Sequence, residues 1–341
     1  MLYRAFSDCK NIRIEGLTGG KSANAFCVYA TCRDSFVGPR PLPFFAKIDR
    51  KDKIQEELRN YTRFVDHFVP FNLRPNLDER RCLLGASEGI LVGNFVEHSE
   101  PLWDVAKRGA PQEAIHSLFD HALRGWRLQA YEGHVQVRTG ALITSLGDVF
   151  DPARVSQHRR KLARELGAIL SPEQLLNKLQ KRQLSAYRLA PIHGDLNAQN
   201  VRVRGTDAIL IDFAKTRTGP IVADPAALEV SLAFAITSES DDNEGWRKLI
   251  DRLYKHAYLR QAPPPAAQPL PREWLWTCVR QIRMFALSME TSGGEYRDAL
   301  VAYLLRFAMF PAESEKEEHR RAYAIVIAER LLEEPEAESS T

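Results

Sequence analysis

Pro191-Ile-His-Gly-Asp-Leu-Asn-Ala-Gln-Asn200 is the most informative motif of this chain, and Ile211-Asp-Phe-Ala214 follows it closely. Between the two motifs, residues 201–211 form two short apolar runs separated by a glycine-containing turn, which predicts a β-hairpin. Such a hairpin would fold Asp212 back over the loop that carries Asp195. The stretch therefore predicts one site built from both motifs.

These motifs hold three oxygen-bearing side chains whose types and order suit phosphoryl transfer. That chemistry needs a carboxylate to accept the proton of an attacking hydroxyl, an amide oxygen on a metal and a second carboxylate on the metals. Asp195, Asn200 and Asp212 supply these groups in that order. The alternative, in which the two aspartates are only a helix cap and a turn residue, leaves their shared context unexplained.

The pattern HGDxxxxN followed by IDF resembles the aminoglycoside phosphotransferase and choline kinase branch of the protein-kinase-like fold, over nearly the whole chain. The resemblance implies an ATP- or GTP-binding enzyme with Mg²⁺ that moves the γ-phosphoryl group to a hydroxyl of a small molecule. Asp195 would be the base, with Asn200 and Asp212 as metal ligands. Two departures, Asn197 for a second histidine and Ala214 for the glycine of DFG, remove neither the base nor a ligand.

The first hundred residues predict a small α+β lobe of five strands with one helix after the third strand. Alternating apolar runs lie around residues 12–14, 26–30, 44–48, 81–84 and 89–96, and a helical period begins at Lys51. We expect a bilobal fold, with a nucleotide-binding lobe over residues 1–97 and a larger, mostly helical lobe over 98–333. The catalytic loop would be 191–200 and the metal-binding segment 211–214.

The resemblance also implies a lysine for the α- and β-phosphates and a helix glutamate that steadies it. Lys47 on the third strand fits the lysine, and Phe45 lies on the same strand face as an apolar ceiling for adenine. Glu56 and Glu57 compete for the glutamate role. Glu57 shares the apolar helix face, so we choose Glu57.

A glycine-rich turn and the segment between the lobes complete the expected nucleotide contacts. Gly19, Gly20 and Ser22 would cover the phosphates from a hairpin loop. A P-loop reading fails because Glu15 stands where its first glycine is needed. Phe95 and Val96, in the segment that joins the lobes, would hold adenine.

Beyond Ser99 the period is mostly helical. We expect His193 to be a buried brace of the catalytic loop, the run Arg159-Arg-Lys161 to be a solvated helix face, and the acidic tail 334–341 to be disordered. The expected helices span residues 111–130, 154–187, 224–237, 243–259, 273–291, 295–309 and 315–333.

Composition argues against several classes of partner. The 341 residues carry a formal charge of only +3, which gives no reason to expect nucleic acid or a membrane as partner. Five cysteines without paired spacing, no signal-like segment and no long apolar run lead us to expect a cytoplasmic protein.

A second class of function stays open beside a small-molecule kinase. Residues 211–229 show a faint resemblance to kinase-like domains of bacterial ternary-complex conflict systems, in which a nucleotide site would serve regulation or act on a macromolecular partner. The acidic run Ser238–Glu244 could attract a cationic substrate, although such runs are usually solvated. A protein kinase is disfavoured because no Ala-Pro-Glu follows Ala214. The sequence does not exclude an inactive pseudoenzyme.

Overall fold

The structure is a computed structural model that describes residues 1–17, 24–33, 38, 40–131, 136–235, 243–265 and 272–333. It has the bilobal protein-kinase-like fold, with a small lobe built on a five-stranded sheet and a larger, mostly helical lobe. The expected fold class is therefore confirmed. The domain limits at residues 97 and 98 stay a prediction, and the tail 334–341 lies outside the described residues.

The small lobe is one antiparallel sheet with strand order β1-β2-β3-β5-β4. All five strands lie where the alternating pattern predicts them, although β4 has only two residues. A short helix that was not predicted precedes them. The bounds are α1 (Leu2–Ala5), β1 (Cys9–Gly16), β2 (Asn24–Cys32), β3 (Leu42–Arg50), α2 (Lys51–Asn60), β4 (Leu83–Leu84) and β5 (Glu88–Asn94).

The two faces of this sheet have different partners. On one face, Val28, Ala46 and Val92 are fully buried in a cluster with Phe6, which follows α1. Alternate residues of a strand point to opposite faces, so Phe45 and Lys47 of β3 lie on the other face, toward α2. The strand period thus directs Lys47 away from the apolar cluster.

The larger lobe contains two small sheets and most of the helices. The sheets have strand orders β10-β9-β6 and β11-β8-β7. The strands of these two sheets are β6 (Glu100–Pro101), β7 (Gln136–Gly140), β8 (Leu184–Ile192), β9 (Val201–Arg204), β10 (Asp207–Leu210) and β11 (Arg217–Pro220). The α-helices of this lobe are α3 (Leu102–Lys107), α4 (Gln112–Ser117), α5 (Arg124–Gln129), α6 (Gln157–Glu165), α7 (Pro172–Lys181), α8 (Ala223–Phe234), α9 (Asn243–Leu253), α10 (Ala257–Arg260), α11 (Glu273–Met289), α12 (Glu295–Met309) and α13 (Glu315–Leu332).

The predicted hairpin of residues 201–211 is present as β9 and β10, but the helix predicted over 154–187 is wrong in part. That span holds α6 and α7 and then enters strand β8, which pairs with β7 and β11. The pairing satisfies the backbone of a largely buried apolar run.

The core of the larger lobe includes a fully buried ion pair between α8 and α11. Arg283 donates to both carboxylate oxygens of Glu229 at 3.0 and 2.8 Å, and both side chains are 0% exposed. The Tyr296 hydroxyl donates to Glu229 at 2.7 Å, and Arg283 also donates to the carbonyl of Leu253. The pair is thus fully hydrogen-bonded, as a buried charge must be.

The run 159–161 is not a solvated face throughout, because Arg159 is 4% exposed. Its guanidinium pairs with Glu318 of α13 and donates to the carbonyls of Ala308 and Phe310 at 2.6 and 2.8 Å. Those carbonyls lie at the end of α12, where a cation is favoured. Arg159 therefore joins three helices, and the expectation was wrong for this residue.

Candidate active site

Lys47 lies at the meeting point of the two lobes. Its ammonium nitrogen is 2.9 Å from Glu57 Oε2 on α2 and 2.9 Å from Asp212 Oδ1 in the larger lobe. Burial alone would lower the pKa of Lys47, but the carboxylates of Glu57 and Asp212 raise it well above the ordinary value. Lys47 is therefore a fixed positive charge in the cleft.

Glu57, and not Glu56, points inward. Glu57 is 6% exposed whereas Glu56 is exposed, as the helical period predicts. Burial raises the pKa of the Glu57 carboxyl, and the positive charge of Lys47 opposes that rise. The ion pair between Lys47 and Glu57 therefore joins β3 to α2. The role of Glu57 in steadying Lys47 against a nucleotide stays a prediction.

Asp212 has an unusual backbone conformation. Its φ of 62° and ψ of 75° lie in the left-handed region, which is uncommon for a residue with a side chain and costs about 1–3 kcal/mol. Hydrogen bonds before and after Asp212 along the chain fix this conformation. The amide of Ile211 donates to the carbonyl of Asn200 at 3.0 Å, and Asn60 of α2 donates to the carbonyl of Ala214 at 3.1 Å.

The loop of residues 193–200 is held by its own side chains. The Nδ2 groups of Asn197 and Asn200 both donate to the carbonyl of Asp195, at 3.1 and 3.0 Å. Asn197 Oδ1 accepts the amides of Gln199 and Asn200. Because the Asn200 amide nitrogen is used in this way, its side-chain oxygen is the atom left for a ligand.

His193 and Asp224 brace the loop from beneath. His193 is fully buried, and its Nε2 lies 2.9 Å from the carbonyl oxygen of Ile211. The buried Asp224 accepts the backbone amides of His193 and Gly194 at 2.7 and 3.1 Å. Burial raises the pKa of Asp224, and the backbone N–H donors of His193 and Gly194 act against that rise. Sequence reasoning missed this role of Asp224, although its Asp-Pro at the start of an apolar helix was a usable signal.

Arg306 of α12 is the other side chain that sequence reasoning missed. Its guanidinium donates to Asp195 Oδ1 at 2.6 Å and to the carbonyl of Gly194 at 3.0 Å. The partner lies more than a hundred residues away along the chain, and no local pattern could indicate it. The Asp195 side chain is nevertheless 39% exposed and accessible from the cleft.

The expected adenine contacts are only partly available. The amide of Phe95 donates to the carbonyl of Pro43, and the carbonyl of Phe95 accepts the amide of Glu97. The carbonyl of Val96 accepts the Ser99 hydroxyl at 2.7 Å. The three residues expected to cover the phosphates, Gly19, Gly20 and Ser22, lie outside the described residues, as does most of the acidic run Ser238–Glu244.

The donor set suits a hard divalent cation. Asp212 offers carboxylate oxygens and Asn200 an amide oxygen, the ligand types that Mg²⁺ prefers in proteins. The backbone bond between Ile211 and Asn200 places the two side chains at one end of the β9–β10 hairpin. The residues present therefore fit a magnesium site, and the positive charge of Lys47 lies beside Asp212.

Solved structures with this fold are similar to the whole chain. A protein described as a fructosamine-3-kinase from Haemophilus somnus 129PT shares 11% identity with a TM-score of 0.53, over 97% of this chain and 95% of that chain. A choline/ethanolamine kinase family protein from Mesorhizobium loti shares 13% identity over 95% of this chain and 89% of its own, with a TM-score of 0.49. At 11% identity, the similarity to the first of these structures shows the kinase-like fold and nothing finer.

The sequence also identifies the family. The model of ternary complex associated domain 9 matches residues 131–309, which is more than half of the 341 residues. The chain therefore belongs to the ternary complex associated domain 9 family, and the resemblance of residues 211–229 to ternary-complex systems is confirmed. A comparison with curated proteins finds no sequence match. In the described residues, no helix is both long and apolar enough to cross a membrane.

Proposed function

We propose that the protein is a magnesium-dependent phosphotransferase that moves the γ-phosphoryl group of ATP or GTP to a hydroxyl. The observation that carries the proposal is the position of Lys47, 2.9 Å from Glu57 in one lobe and 2.9 Å from Asp212 in the other. This arrangement brings together the residue types that phosphoryl transfer requires, from distant parts of the sequence.

Each residue has a defined role in this proposal. Lys47 binds the α- and β-phosphates and Glu57 steadies it. Asn200 and Asp212 hold Mg²⁺, which when bound neutralises phosphate charge. Asp195 accepts the proton of the acceptor hydroxyl, whose oxygen bonds to the γ-phosphorus as the bond to the β–γ bridging oxygen breaks.

The adenine ring of the nucleotide would lie against the segment that joins the lobes. Among the described residues, no hydrogen-bond partner is found for the amide of Val96, so this N–H is the donor we assign to adenine. Phe45 lies on the same face of β3 as Lys47 and supplies an apolar contact for the ring. We keep Gly19, Gly20 and Ser22 as phosphate contacts on the sequence argument alone.

Thermal unfolding with and without Mg²⁺, ATP and GTP tests the proposal. A ligand present at 100 times its Kd stabilises a protein by about 2.7 kcal/mol. We expect nucleotide stabilisation that requires Mg²⁺, that Asp212→Ala abolishes and that Asp148→Ala, an exposed aspartate elsewhere, leaves intact. Absence of stabilisation by both nucleotides would refute the proposal.

A second candidate is a nucleotide-dependent module that acts on a macromolecular partner. The family match favours it, because the family's name associates its members with ternary complexes. Following γ-phosphate across small hydroxyl compounds and protein acceptors separates the two candidates. Neighbouring genes provide an independent comparison, since a signalling or defence cluster would favour the second candidate and a lone metabolic or resistance gene the first.

A further inference from the structure

Two arginines lie against the Gly194–Asp195 peptide. Arg306 bonds to the Gly194 carbonyl and to the Asp195 carboxylate. Arg217 of β11 also lies close to Gly194, since a Cβ built on Gly194 would lie 2.3 Å from Arg217 Nη1 and 2.3 Å from the carbonyl oxygen of Lys215. With its φ of 76°, Gly194 accepts a conformation and a contact that no larger residue could.

Arg306 keeps hydrogen-bonding capacity that the protein does not use. A guanidinium has five N–H donors, and within the described parts of the chain Arg306 uses them only toward Gly194 and Asp195. Its side chain is 19% exposed, and the rings of Tyr303 and Phe310 lie 5.7 and 5.8 Å from it. The rings restrict the guanidinium to the neighbourhood of Asp195 while leaving donors for a ligand.

Tyr303 adds a neutral donor beside these charges. Its residue is 3% exposed, and its hydroxyl has no hydrogen-bond partner in the described residues. Burial, followed by the negative charge of Asp224, raises the pKa of Tyr303 to about 12, so the hydroxyl keeps its proton. A buried O–H without a partner is uncommon in a native structure.

We propose that the acceptor is a hydroxyl compound that also carries a phosphate or carboxylate group, and that Arg306 selects it. The inference rests on the proposed function and specifies its substrate class. An acceptor hydroxyl must come within hydrogen-bond reach of Asp195, and Arg306 is only 2.6 Å from that carboxylate. A guanidinium can bind a phosphate or carboxylate through two parallel hydrogen bonds, a geometry that a cationic acceptor cannot use.

The test compares binding of four small hydroxyl compounds to the full-length protein in the presence of Mg²⁺ and ADP. The compounds are glycerol, glycerol 3-phosphate, glycerate and choline, which differ in the charge beside the hydroxyl. By calorimetry we expect the two anions to bind at least tenfold more tightly than glycerol and choline. The phosphate and carboxylate arms then identify which anion the site takes.

Variants assign the preference to Arg306. We expect Arg306→Gln to remove the tenfold preference and Arg306→Lys to retain part of it. Arg160→Gln is the matched control, because Arg160 is also a partly buried arginine in an ion pair, with Glu173. Nucleotide-dependent thermal stabilisation of each variant shows that it is folded.

Failure of this inference is distinguishable from failure of the proposed function. Stabilisation by Mg²⁺ and nucleotide without any preference for the anions would overturn the inference alone. A preference that persists in Arg306→Gln would also overturn it. Absence of nucleotide stabilisation in the wild-type protein would overturn the proposed function and the inference together.

Discussion

At the scale of single residues, Asp195 and Asp212 have different surroundings and therefore separable roles. Asp195 is bonded to Arg306, whereas Asp212 is bonded to Lys47. We predict that Asp195→Asn lowers phosphoryl transfer by about 10²–10⁴-fold, the usual contribution of a general base, while nucleotide binding is retained. Transfer rate and Mg²⁺-dependent nucleotide affinity are to be measured on the same preparation. A loss of affinity as large as that in Asp212→Ala would contradict this division of roles.

Glu56 and Glu57 provide a matched comparison on one helix. In the nucleotide complex that we propose, Asp212 turns to the metal, and Lys47 then depends on Glu57 to hold it against the phosphates. Loss of one charged hydrogen bond is expected to weaken nucleotide binding about tenfold in Glu57→Gln. Glu56→Gln should bind as the wild type does, and equal affinities in the two variants would argue against the steadying role. Titration calorimetry with Mg²⁺ and ATP measures both.

At the scale of elements, Arg159 of α6 joins the end of α12 to α13. Removal of a buried arginine from its carboxylate typically costs about 3–5 kcal/mol. We therefore predict that Arg159→Ala lowers the free energy of unfolding by that amount, whereas Lys161→Ala, whose side chain is 80% exposed, changes it by no more than about 0.5 kcal/mol. Denaturant unfolding of both variants tests this. An equal loss of unfolding free energy in the two variants would contradict a stabilising role for Arg159.

The same helix shows where sequence reasoning about elements fails. A run of arginine and lysine looks solvated because the pattern cannot show which carbonyls another helix ends with. Residues 184–187 of strand β8 were predicted as helix for a related reason, since the burial of this strand does not alternate in the way that marks a strand. The five strands of the small lobe were predictable because their apolar runs are short and bounded by turn-forming residues, which holds even for β5, a strand buried on both faces.

At the scale of the whole molecule, stability should depend on a buried aspartate in α12. Burial raises the pKa of Asp298 to about 6, with the charge of Arg182 acting against the rise. Its Oδ2 is buried without a hydrogen-bond partner among the described residues. The folded pKa exceeds the unfolded value, so Asp298 contributes stability below about pH 4 that is lost as the pH rises through about 6.

Replacement of Asp298 by asparagine removes this titration. We predict that the unfolding free energy of Asp298→Asn rises relative to wild type by about 2 kcal/mol between pH 4 and 7. Denaturant unfolding at several pH values measures the difference, with Asp148→Asn as an exposed control. A difference that does not change with pH would show that Asp298 is ionised throughout this range.

Across the molecule, the candidate site divides into a predictable half and an unpredictable half. Lys47, Asp195, Asn200 and Asp212 were predictable because phosphoryl transfer restricts residue types and spacing within short motifs. Arg306 was not, because its contact with Asp195 depends on the packing of α12 against a loop distant in sequence. A contact between positions so distant in sequence leaves no local pattern, and it therefore requires a structure.

The buried ion pair between α8 and α11 bears on how relatives of this chain diverge. Glu229 and Arg283 both lie within the span matched by the family. Replacement of either partner alone leaves an unpaired charge in the core, so a single substitution at either position is strongly destabilising. Family members should therefore retain both residues or exchange both together for an apolar pair. This constraint should be visible among the family's sequences as covariation between the two positions.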